Sequence, residues 1–465
     1  MNIALHGHMG RDAAAVGNLL EHGHQINAIG GWENPNVVDA VTASGGQFDI
    51  VKDVADAEAV ADFVQRVQPD LFYTHFDDSL AAGVVDTIQR RVDQGLMRPV
   101  LLASPNRESA KVEWDKFFLR EILEKVAPDY NPEHNFMVTD EASALDAIDF
   151  FEQEGIQLVI KPRNPTGGKG VKVMGKHFTS YEDAKAYARE VLNDPKQSGL
   201  EVQERMDVDR AGNLIGHEFT LQLLTDGDTI VLAPATYDYP YREDGDEGPG
   251  TGGMGTFSQA DGLLPFLTQE DYDDMIDVAH KLLAEMKEQG LDYKGVLYLT
   301  AFKQKSGKKK VVELNARGGD PELINILDLF EEDVDYGEVL RLIALGELAQ
   351  DSVRFKKLAS AMIYLVSRGY GYSKEPALDF GLDLAAVEAA GAKARFAAGR
   401  RTGENMYQST STSRVLGLSA LGPTPWAARK TLDNAIAAGF GGQVPLDYRN
   451  DVASEAYVKN LAFAS

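Results

Sequence analysis

Short apolar runs alternate with amphipathic stretches along the first hundred residues. Four runs have the length and composition of buried strands: Ile3–Leu5, Gln25–Ile29, Leu71–Thr74 and Val100–Leu102. Between them, stretches such as DAEAVADFVQRVQPD repeat apolar residues at helical spacing. Strands and helices that take turns are typical of a parallel sheet, so residues 1–103 are predicted to form a small α/β domain.

The pattern changes at about residue 104. Long helical stretches, EWDKFFLREILEKV and LTQEDYDDMIDVAHKLLAEMKEQG, are mixed with strand pairs such as LVIKP with GVKVM and GVLYLTAFKQ with KKKVVELNA. This predicts an α+β domain over residues 104–355. The last region, 356–465, has strands at SAMIYLVS and SRVLGLSAL and a helix after the Pro423–Pro425 turn.

Composition supports a multidomain protein with real cores. The chain has 465 residues, of which 44% are hydrophobic and 25% charged. No apolar run approaches the roughly 18 residues of a membrane span, and the first residues do not form a signal-peptide core. We therefore expect a cytoplasmic protein without a membrane partner. Cysteine is absent, which excludes disulfides and cysteine metal sites.

The charge balance disfavours nucleic acid as a partner. Lys and Arg number 46 against 72 Asp and Glu, a net charge of −26, which repels polyanions. A halophilic or acid-rich host would also explain this charge. The one dense basic run, KQKSGKKK at Lys303–Lys310, fits a solvated hairpin turn between strands.

The stretch Gly248–Ser258, GPGTGGMGTFS, is the most glycine-rich segment. Glycine loses more conformational freedom on folding than any other residue, so a run of glycines needs a reason. Either another group approaches this backbone closely, or the segment is a linker.

A second glycine-rich segment, LVIKPRNPTGGKGVKV, begins with an apolar strand that ends near Lys161. The glycines of the Gly-Gly-Lys-Gly turn would let backbone N–H groups converge on an anion, and Lys161 and Lys169 add positive charge. The spacing is not that of a P-loop. The alternative is a plain hairpin turn.

The segment VVELNARGGDPE predicts a metal site. Strand alternation places Glu313 and Asn315 on one face and Leu314 on the other. Two hard oxygen donors suit Mg²⁺, which takes its remaining ligands from water and phosphate. A solvated strand face is the alternative.

Two further glutamates lie at predicted strand ends. Glu204 in VQERMD would end a strand, and Glu218 in HEFTLQ would open the next. Such carboxylates could accept hydrogen bonds from an adenine amino group or ribose hydroxyls. They could equally be ordinary surface residues.

Taken in order, these features resemble the ATP-grasp fold. More narrowly, GPGTGGMGTFS and VVELNARGGDPE are similar to loops of the phosphoribosylamine–glycine ligase family. The resemblance runs from the opening MNIALHGHMGRDAA through SAKVEWDKFFL to PLDYRNDVA near the end. It implies a Rossmann-like (pre-ATP-grasp) N-terminal domain, an ATP-grasp domain with a mobile lid at about 123–205, and a small C-terminal α+β domain.

The resemblance also implies the chemistry. ATP would phosphorylate a carboxylate, and an amine would attack the acyl phosphate to form an amide. The expected cofactors are ATP and Mg²⁺, with Mn²⁺ as an alternative, and the expected partners are small molecules, an amino acid and a phosphorylated amine, bound by a monomer. Phosphoryl transfer needs positioning and charge neutralisation, which lysines, Arg317 and a metal would provide.

Site residues follow from the same resemblance. Nucleotide contacts are expected from Lys116, Lys161, Gly167, Gly168, Lys169, Glu204, Met206 and Glu218. Metal ligands are expected at Glu313 and Asn315, and catalytic roles at Lys169, Arg317 and Asp320. Substrate contacts are expected from Gly10, Arg11, Asp238, Gly252, Gly253, Met254, Arg317, Gly319, Asp320 and Arg414.

Arg11 lies where a strand passes into a helix, so it could bind a phosphate together with backbone N–H groups. Gly7 and Gly10 could instead serve only a tight turn.

The chain departs from the family pattern on the substrate side. The family has Arg-Glu-His-Ala where this chain has Arg11-Asp12-Ala13-Ala14, and Gly-Pro-Glu where it has His75-Phe76-Asp77. Its Gln-Asp-His-Lys-Arg run corresponds to Tyr237–Tyr241, and its Arg-Phe-Gly-Asp to Arg317–Asp320. The expected function is ligation of glycine to 5-phosphoribosylamine. An ATP-grasp ligase for another amino acid or amine, and a nucleotide-binding module without catalysis, remain as alternatives.

Overall fold

The computed structural model describes residues 1–164 and 170–463. In the first region, all four predicted strands are present and one further short strand, β3, joins them. The elements are β1 (Asn2–His6), α1 (Gly10–Glu21), β2 (Gln25–Gly30), α2 (Pro35–Ala43), β3 (Phe48–Ile50), α3 (Ala57–Val67), β4 (Leu71–Thr74), α4 (Asp77–Ala81), α5 (Val84–Asp93) and β5 (Leu101–Leu102). The strands form a parallel sheet in the order β3-β2-β1-β4-β5, as predicted.

The loops that follow β1 and β4 lie at the carboxyl edge of this sheet. In open parallel sheets, ligands bind at this edge between the two strands where the strand order reverses. In this sheet those strands are β1 and β4. Gly10 and Arg11 begin the helix after β1, and His75 and Phe76 follow β4. The fold therefore brings the opening loop and a second, distant segment to one place.

The second region begins with two helices rather than one. These are α6 (Lys111–Trp114) and α7 (Lys116–Val126), followed by a 3₁₀ turn at Pro128–Tyr130. The predicted single helix over EWDKFFLREILEKV is wrong at Asp115, where the backbone is extended and the carboxylate accepts a 3.1 Å hydrogen bond from the Phe117 N–H. An aspartate that caps a helix in this way starts a new one.

Residues 135–164 and 170–204, which lie within the lid expected at about 123–205 and are called the lid below, pack around a core of their own. The elements are β6 (Asn135–Val138), α8 (Glu141–Glu154), β7 (Leu158–Pro162), β8 (Lys172–Val173), α9 (Tyr181–Asn193) and β9 (Leu200–Glu204). The strands form an antiparallel sheet in the order β6-β9-β7-β8, which includes the predicted pairing of LVIKP with KV. Its buried residues, such as Phe151 and Ile160, form a cluster separate from the main core.

The rest of this region is built on a second antiparallel sheet. Its elements are β10 (Gly216–Thr225), β11 (Ile230–Leu232), β12 (Tyr237–Asp238), β13 (Tyr241–Glu243), a 3₁₀ turn (Asp244–Asp246), β14 (Glu247–Gly250), β15 (Gly255–Ser258), α10 (Gln269–Glu288), β16 (Gly295–Gln304), β17 (Lys309–Asn315), α11 (Glu322–Asp328) and α12 (Tyr336–Leu345). The sheet order is β11-β10-β16-β17. The predicted hairpin between β16 and β17, with KSGK at its turn, is confirmed.

The last region completes a mixed structure. It contains β18 (Ala359–Val366), β19 (Asp379–Gly381), α13 (Leu384–Ala389), β20 (Lys393–Phe396), β21 (Gly399–Gly403), β22 (Met406–Ser409), β23 (Arg414–Gly422), α14 (Pro425–Gly439) and α15 (Glu455–Asn460). The predicted strands at β18 and β23 and the helix after the proline turn are present. The sheet β12-β15-β18-β23-β20 takes two of its strands from the second region.

The segment GPGTGGMGTFS is not a linker. Its first residues lie in β14, which pairs with β13, and its last residues form β15, which pairs with β12 and β18. Gly253 has a φ of +99°, and a Cβ there would lie 2.7 Å from an oxygen of Asp238 and 2.7 Å from Pro321. At Gly253, the groups that approach the glycine-rich backbone closely are therefore Asp238 and Pro321 of the protein itself.

No described helix, in residues 1–164 or 170–463, is long and apolar enough to cross a membrane.

Candidate active site

A cavity of about 610 Å³ lies where the first region, the lid and the β11-β10-β16-β17 sheet meet. The predicted site residues that line it are Arg11, Lys116, Lys161, Glu218, Asp238, Gly252, Glu313, Asn315, Arg317, Asp320 and Arg414. Residues from the first and last regions therefore converge with residues of the second region.

Strand alternation in β17 brings the two expected metal ligands to one face. Glu313 lies opposite Thr300 and Asn315 opposite Tyr298, so both point from one face of the sheet into the cavity. The Asn315 amide nitrogen donates a 3.2 Å hydrogen bond to one Glu313 oxygen, and the Asn315 amide oxygen accepts a 3.3 Å hydrogen bond from Arg317, so each of these oxygens keeps further acceptor capacity. No set of three histidine or acidic side chains in the described residues forms a complete cage. The oxygen donors fit a partly hydrated Mg²⁺, which is completed by water and phosphate.

Neighbouring carboxylates make this part of the cavity favourable for a cation. The Glu218 side chain is open to the cavity, but protein surrounds its carboxyl group elsewhere, and burial together with Glu313 raises its pKa to about 7. Burial, followed by Glu322 and Glu218, raises the pKa of Asp238 well above its usual value. One oxygen of Asp238 has no hydrogen-bond partner among the described residues. Carboxyl groups that repel one another are stabilised in the ionised form by a bound cation.

A bulge in β17 presents a backbone carbonyl to Arg120 and Lys161, two residues that line the cavity. Thr300 pairs with Glu313 but Ala301 pairs with Val311, so Val312 is the extra residue. Its carbonyl accepts hydrogen bonds from Arg120 at 2.7 Å and from Lys161 at 3.4 Å. The bulge therefore joins the lid strand β7 to the sheet that carries Glu313.

A buried ion pair missed by the sequence analysis supports Lys161. Arg120 donates to Glu201 at 2.6 Å, and both side chains are almost fully buried. Burial lowers the pKa of Lys161 to about 8, while the nearby Glu201 carboxylate opposes this shift. The sequence carries only a weak signal of this pair, because Arg120 in FFLREIL and Glu201 in LEVQE each lie beside or near another charged residue.

Arg317 is held by another residue that the sequence analysis missed. Its Nε lies 3.3 Å from a Glu113 carboxylate oxygen, and the other Glu113 oxygen accepts a 2.7 Å hydrogen bond from the Ala316 N–H. The Arg317 Nη2 also donates to Asn315 at 3.3 Å. Arg317 and the metal-facing strand are thus positioned as one unit.

Burial raises the pKa of Glu113 to about 7, even though Arg317 opposes the shift. Stability from this raised pKa is complete below about pH 4.5 and is lost as the pH rises through about 7. We therefore expect Glu113→Gln to gain thermal stability relative to the unmodified protein between pH 5 and pH 8, by at most about 3 kcal/mol. Melting curves across this range test the expectation. The exposed Glu108→Gln variant is the control, and a pH-independent difference for Glu113→Gln would contradict it.

Arg11 fastens the first region to the Arg317 loop. Its Nη1 donates to the Gly318 carbonyl at 2.9 Å, and its Nη2 donates to the His75 carbonyl. The His75 Nδ1 in turn accepts a 3.2 Å hydrogen bond from the Gly318 N–H. Each terminal nitrogen of Arg11 therefore has a backbone partner while its Nε has none among the described residues, so part of the donor capacity expected to bind a phosphate is used within the protein.

Asp320 and Arg414 form a second connection, to the last region. The Tyr364 hydroxyl donates to Asp320, and Arg414 donates to the carbonyls of Gly252 and Asp320. The Arg414 guanidinium also lies 4.8 Å from the Tyr364 ring centroid. Gly10 is required at this contact, because a Cβ there would overlap the Tyr364 hydroxyl.

Several predicted residues do not line the described cavity: Gly10, Glu204, Met206, Gly253, Met254 and Gly319. Glu204 accepts a 2.6 Å hydrogen bond from the Glu133 N–H, and the Gly319 N–H donates to Gln222 at 3.1 Å. Met254 is fully buried. The expected nucleotide contacts Gly167, Gly168 and Lys169 lie outside the described residues.

Comparison with known proteins identifies the family of the chain. Residues 114–323 match the model of the phosphoribosylglycinamide synthetase ATP-grasp (A) domain. The phosphoribosylamine–glycine ligase of Methanothermobacter thermautotrophicus is 32% identical over 404 residues, which are 86% of each chain. That of Methanopyrus kandleri is 31% identical over 94% of this chain and 91% of its own.

Solved structures agree in fold. The phosphoribosylamine–glycine ligase of Thermotoga maritima superposes with a TM-score of 0.73 at 19% identity, covering 97% of this chain and all of its own. The biotin carboxylase domain of Hydrogenobacter thermophilus 2-oxoglutarate carboxylase, solved with MgADP, gives a TM-score of 0.66 at 14% identity, covering 94% of this chain and 90% of its own. Because relatives more than 30% identical match most of its length, the chain belongs to the phosphoribosylamine–glycine ligase family, and it is an ATP-grasp carboxylate–amine ligase.

Proposed function

We propose that the protein joins glycine to 5-phosphoribosylamine in purine biosynthesis, at the expense of ATP. The observation that carries the proposal is the convergence of Lys116, Lys161, Glu313, Asn315 and Arg317 on one cavity. The chain's relatives are named for this reaction.

In this reaction ATP supplies the phosphoryl group that activates the glycine carboxylate, and Mg²⁺ neutralises charge on the phosphates. Glu313 and Asn315 would hold the metal through their oxygens, and Mn²⁺ has the same ligand preference. Lys116 and Lys161 would balance the phosphate charge. Lys116 has no side-chain partner among the described residues, so its ammonium group is available.

Arg317 would hold the glycine carboxylate and then the acyl phosphate oxygens. Its planar guanidinium presents donors in a fixed fork that matches such oxygens. Glu113 and Asn315 fix its orientation. The amine nitrogen then attacks the acyl carbon, phosphate leaves, and the nitrogen loses a proton as the amide forms. Water must be excluded while the acyl phosphate exists, which is the role we assign to the lid.

The decisive experiment measures ADP release with glycine and phosphoribosylamine against a panel of other amino acids and amines. We expect release only when both named substrates are present. Release with a different pair would favour the divergent ligase that the altered loops at His75–Asp77 and Tyr237–Tyr241 suggest. Nucleotide binding without release on any pair would favour a non-catalytic module.

We further propose a cytoplasmic monomer with no nucleic acid partner, divided at about residues 103 and 355. The net charge of −26 supports the exclusion of polyanions. Sedimentation at micromolar concentration, with and without ATP, tests the monomer, and a dimer in either condition would contradict it.

The lid is expected to be protected from proteolysis when ATP binds. It has its own core, and its polar contacts with the rest of the protein include the buried Arg120–Glu201 pair, Arg163 with Asp115 at 2.8 Å and Lys176 over the Tyr241 ring at 3.4 Å. A segment with a separate core can move as a unit, and a nucleotide between lid and sheet adds contacts only in the closed state. Tryptic cleavage after the exposed Lys196 should therefore slow severalfold with ATP.

Cleavage after Lys305, in the β16–β17 turn outside the lid, is the internal control and should not change. Equal cleavage rates after Lys196 with and without ATP would show that this part of the lid does not respond to nucleotide.

A further inference from the structure

An aromatic wall closes the N-terminal side of the cavity, formed by His8, Trp32 and Phe76. The His8 ring centroid lies 3.7 Å from that of Trp32 and 4.6 Å from that of Phe76. The Trp32 indole nitrogen donates a 2.9 Å hydrogen bond to the Ala397 carbonyl, so the last region holds the wall in place. The roles assigned above leave these three side chains unused.

His8 presents a single hydrogen-bond donor. Its Nδ1 accepts a 2.8 Å hydrogen bond from the Gly31 N–H. Burial, with smaller contributions from His6 and Arg11, lowers the pKa of His8 to about 3, so the ring is neutral at physiological pH. A neutral imidazole that accepts at Nδ1 carries its proton on Nε2. The one side-chain hydrogen bond of His8 among the described residues is the one at Nδ1, so this N–H is left for a ligand in the cavity that His8, only 2% exposed, lines.

Two glycines keep this ring in its orientation. A Cβ on Gly30 would lie 2.9 Å from the His8 Cβ, and a Cβ on Gly31 would lie 3.1 Å from its Cε1. The backbone therefore packs directly against the side of the imidazole, while Trp32 and Phe76 contact the ring. The ring has little freedom to turn its Nε2 away from the cavity.

The charges near His8 select what its donor can bind. Asp77 and Asp78 follow Phe76 and also line the cavity, and they would repel a phosphate dianion. Arg11, the cation that acts on His8, donates both terminal nitrogens to backbone carbonyls. A sugar hydroxyl fits this setting, because it can accept from His8 and donate to a carboxylate, while aromatic rings pack against the sugar carbons.

We propose that His8 is a specificity-determining residue for the amine substrate, and that its Nε2–H donates to a ribose hydroxyl held against Trp32 and Phe76. This inference rests on the proposed function, since it assigns the sugar of phosphoribosylamine to this wall. It places the phosphate of that substrate away from His8.

Two substitutions separate the donor from the rest of the ring. His8→Asn retains an acceptor for the Gly31 N–H but removes the donor at Nε2. His8→Gln places an amide N–H near the Nε2 position. We expect His8→Asn to raise the half-saturating concentration of phosphoribosylamine about tenfold, as for the loss of one buried hydrogen bond. Values for ATP and glycine should not change, and His8→Gln should recover most of the loss. His280→Asn, on the exposed face of α10, is the control.

Binding measurements distinguish a hydroxyl from a phosphate as the acceptor. Calorimetric titration with glycinamide ribonucleotide and with the phosphate-free glycinamide riboside should show the same fold loss in His8→Asn. A loss confined to the ribonucleotide would overturn the proposal, since His8 would then contact the phosphate. Equal binding of both compounds by His8→Asn and the unmodified protein would also overturn it.

The two levels of proposal fail in different ways. No ADP release by the unmodified protein with glycine and phosphoribosylamine, together with no binding of either riboside compound, would remove the proposed function and this assignment. Normal ADP release with unchanged amine kinetics in His8→Asn would remove only the role of His8.

Discussion

Glu313→Gln is expected to lower the turnover number at least about a hundredfold while nucleotide affinity changes much less. The substitution preserves shape but removes the negative charge that faces the cavity beside Asn315. A metal held more weakly there would stabilise the charge that develops during phosphoryl transfer less well, and losses of this kind are on the order of 10²–10³ in rate. Turnover and nucleotide affinity, measured over a range of Mg²⁺ concentrations, check the prediction.

A matched control is Glu288→Gln at the exposed end of α10, which should retain full activity. High Mg²⁺ should recover part of the activity of Glu313→Gln, because weaker binding is offset by mass action. Unchanged turnover in Glu313→Gln would remove the metal site from this strand face.

The strand that carries this site shows what local sequence can predict. Alternation alone placed Glu313 and Asn315 on one face, because side chains on a strand point to opposite sides with a period of two. The parallel sheet of the first region followed from the same kind of local pattern. Both predictions depend on residues close together in sequence, where backbone geometry leaves few options.

The support for that strand could not be predicted in this way. The bulge at Val312 requires the pairing register of β16 and β17, and it is this bulge that brings Arg120 and Lys161 to one carbonyl. Nothing in the residues around Val312 specifies the extra residue. Partners such as Glu201 become visible only when the lid sheet is placed against the body of the protein.

The same limit applies to the connections between regions. His75 and Gly318 lie 243 positions apart, and neither stands out in its own segment, yet they share a hydrogen bond beside Arg11. The opening loop suggested a phosphate site because its glycines and arginine match a common local pattern. In the folded chain part of that donor capacity binds backbone carbonyls, since burial obliges polar groups to find partners.

These connections fix the loop that carries Arg317 to the first region. Arg11 and His75 bind both the carbonyl and the N–H of Gly318, the residue after Arg317. Hydrogen bonds to both the carbonyl and the N–H of one residue restrict the backbone of its neighbours as well. Three contacts therefore set the position of the Arg317 guanidinium: Glu113, Asn315 at the end of β17, and the hydrogen bonds that Arg11 and His75 make with Gly318.

Arg317→Ala is accordingly expected to reduce turnover by about a hundredfold to a thousandfold, because the variant cannot hold the carboxylate or acyl phosphate oxygens. Arg317→Lys should recover only part of the activity, since an ammonium group lacks the planar fork. Loss of Arg317 also leaves Glu113 without its cation, so the pKa of Glu113, already about 7, should rise further and the group should become protonated. The fold should therefore survive the change.

The double variant Arg317→Ala with Glu113→Gln separates folding from catalysis. Its melting temperature at pH 8 should equal or slightly exceed that of the unmodified protein. It should nevertheless remain as inactive as the single variant, because the neutral side chain of Glu113→Gln does not replace the missing guanidinium. Arg401→Ala removes an exposed arginine that pairs with Asp39 far from the cavity, and should leave turnover unchanged. If the double variant regained activity, the loss in Arg317→Ala would stem from the unpaired carboxyl group, and Arg317 would position the loop without touching the substrate.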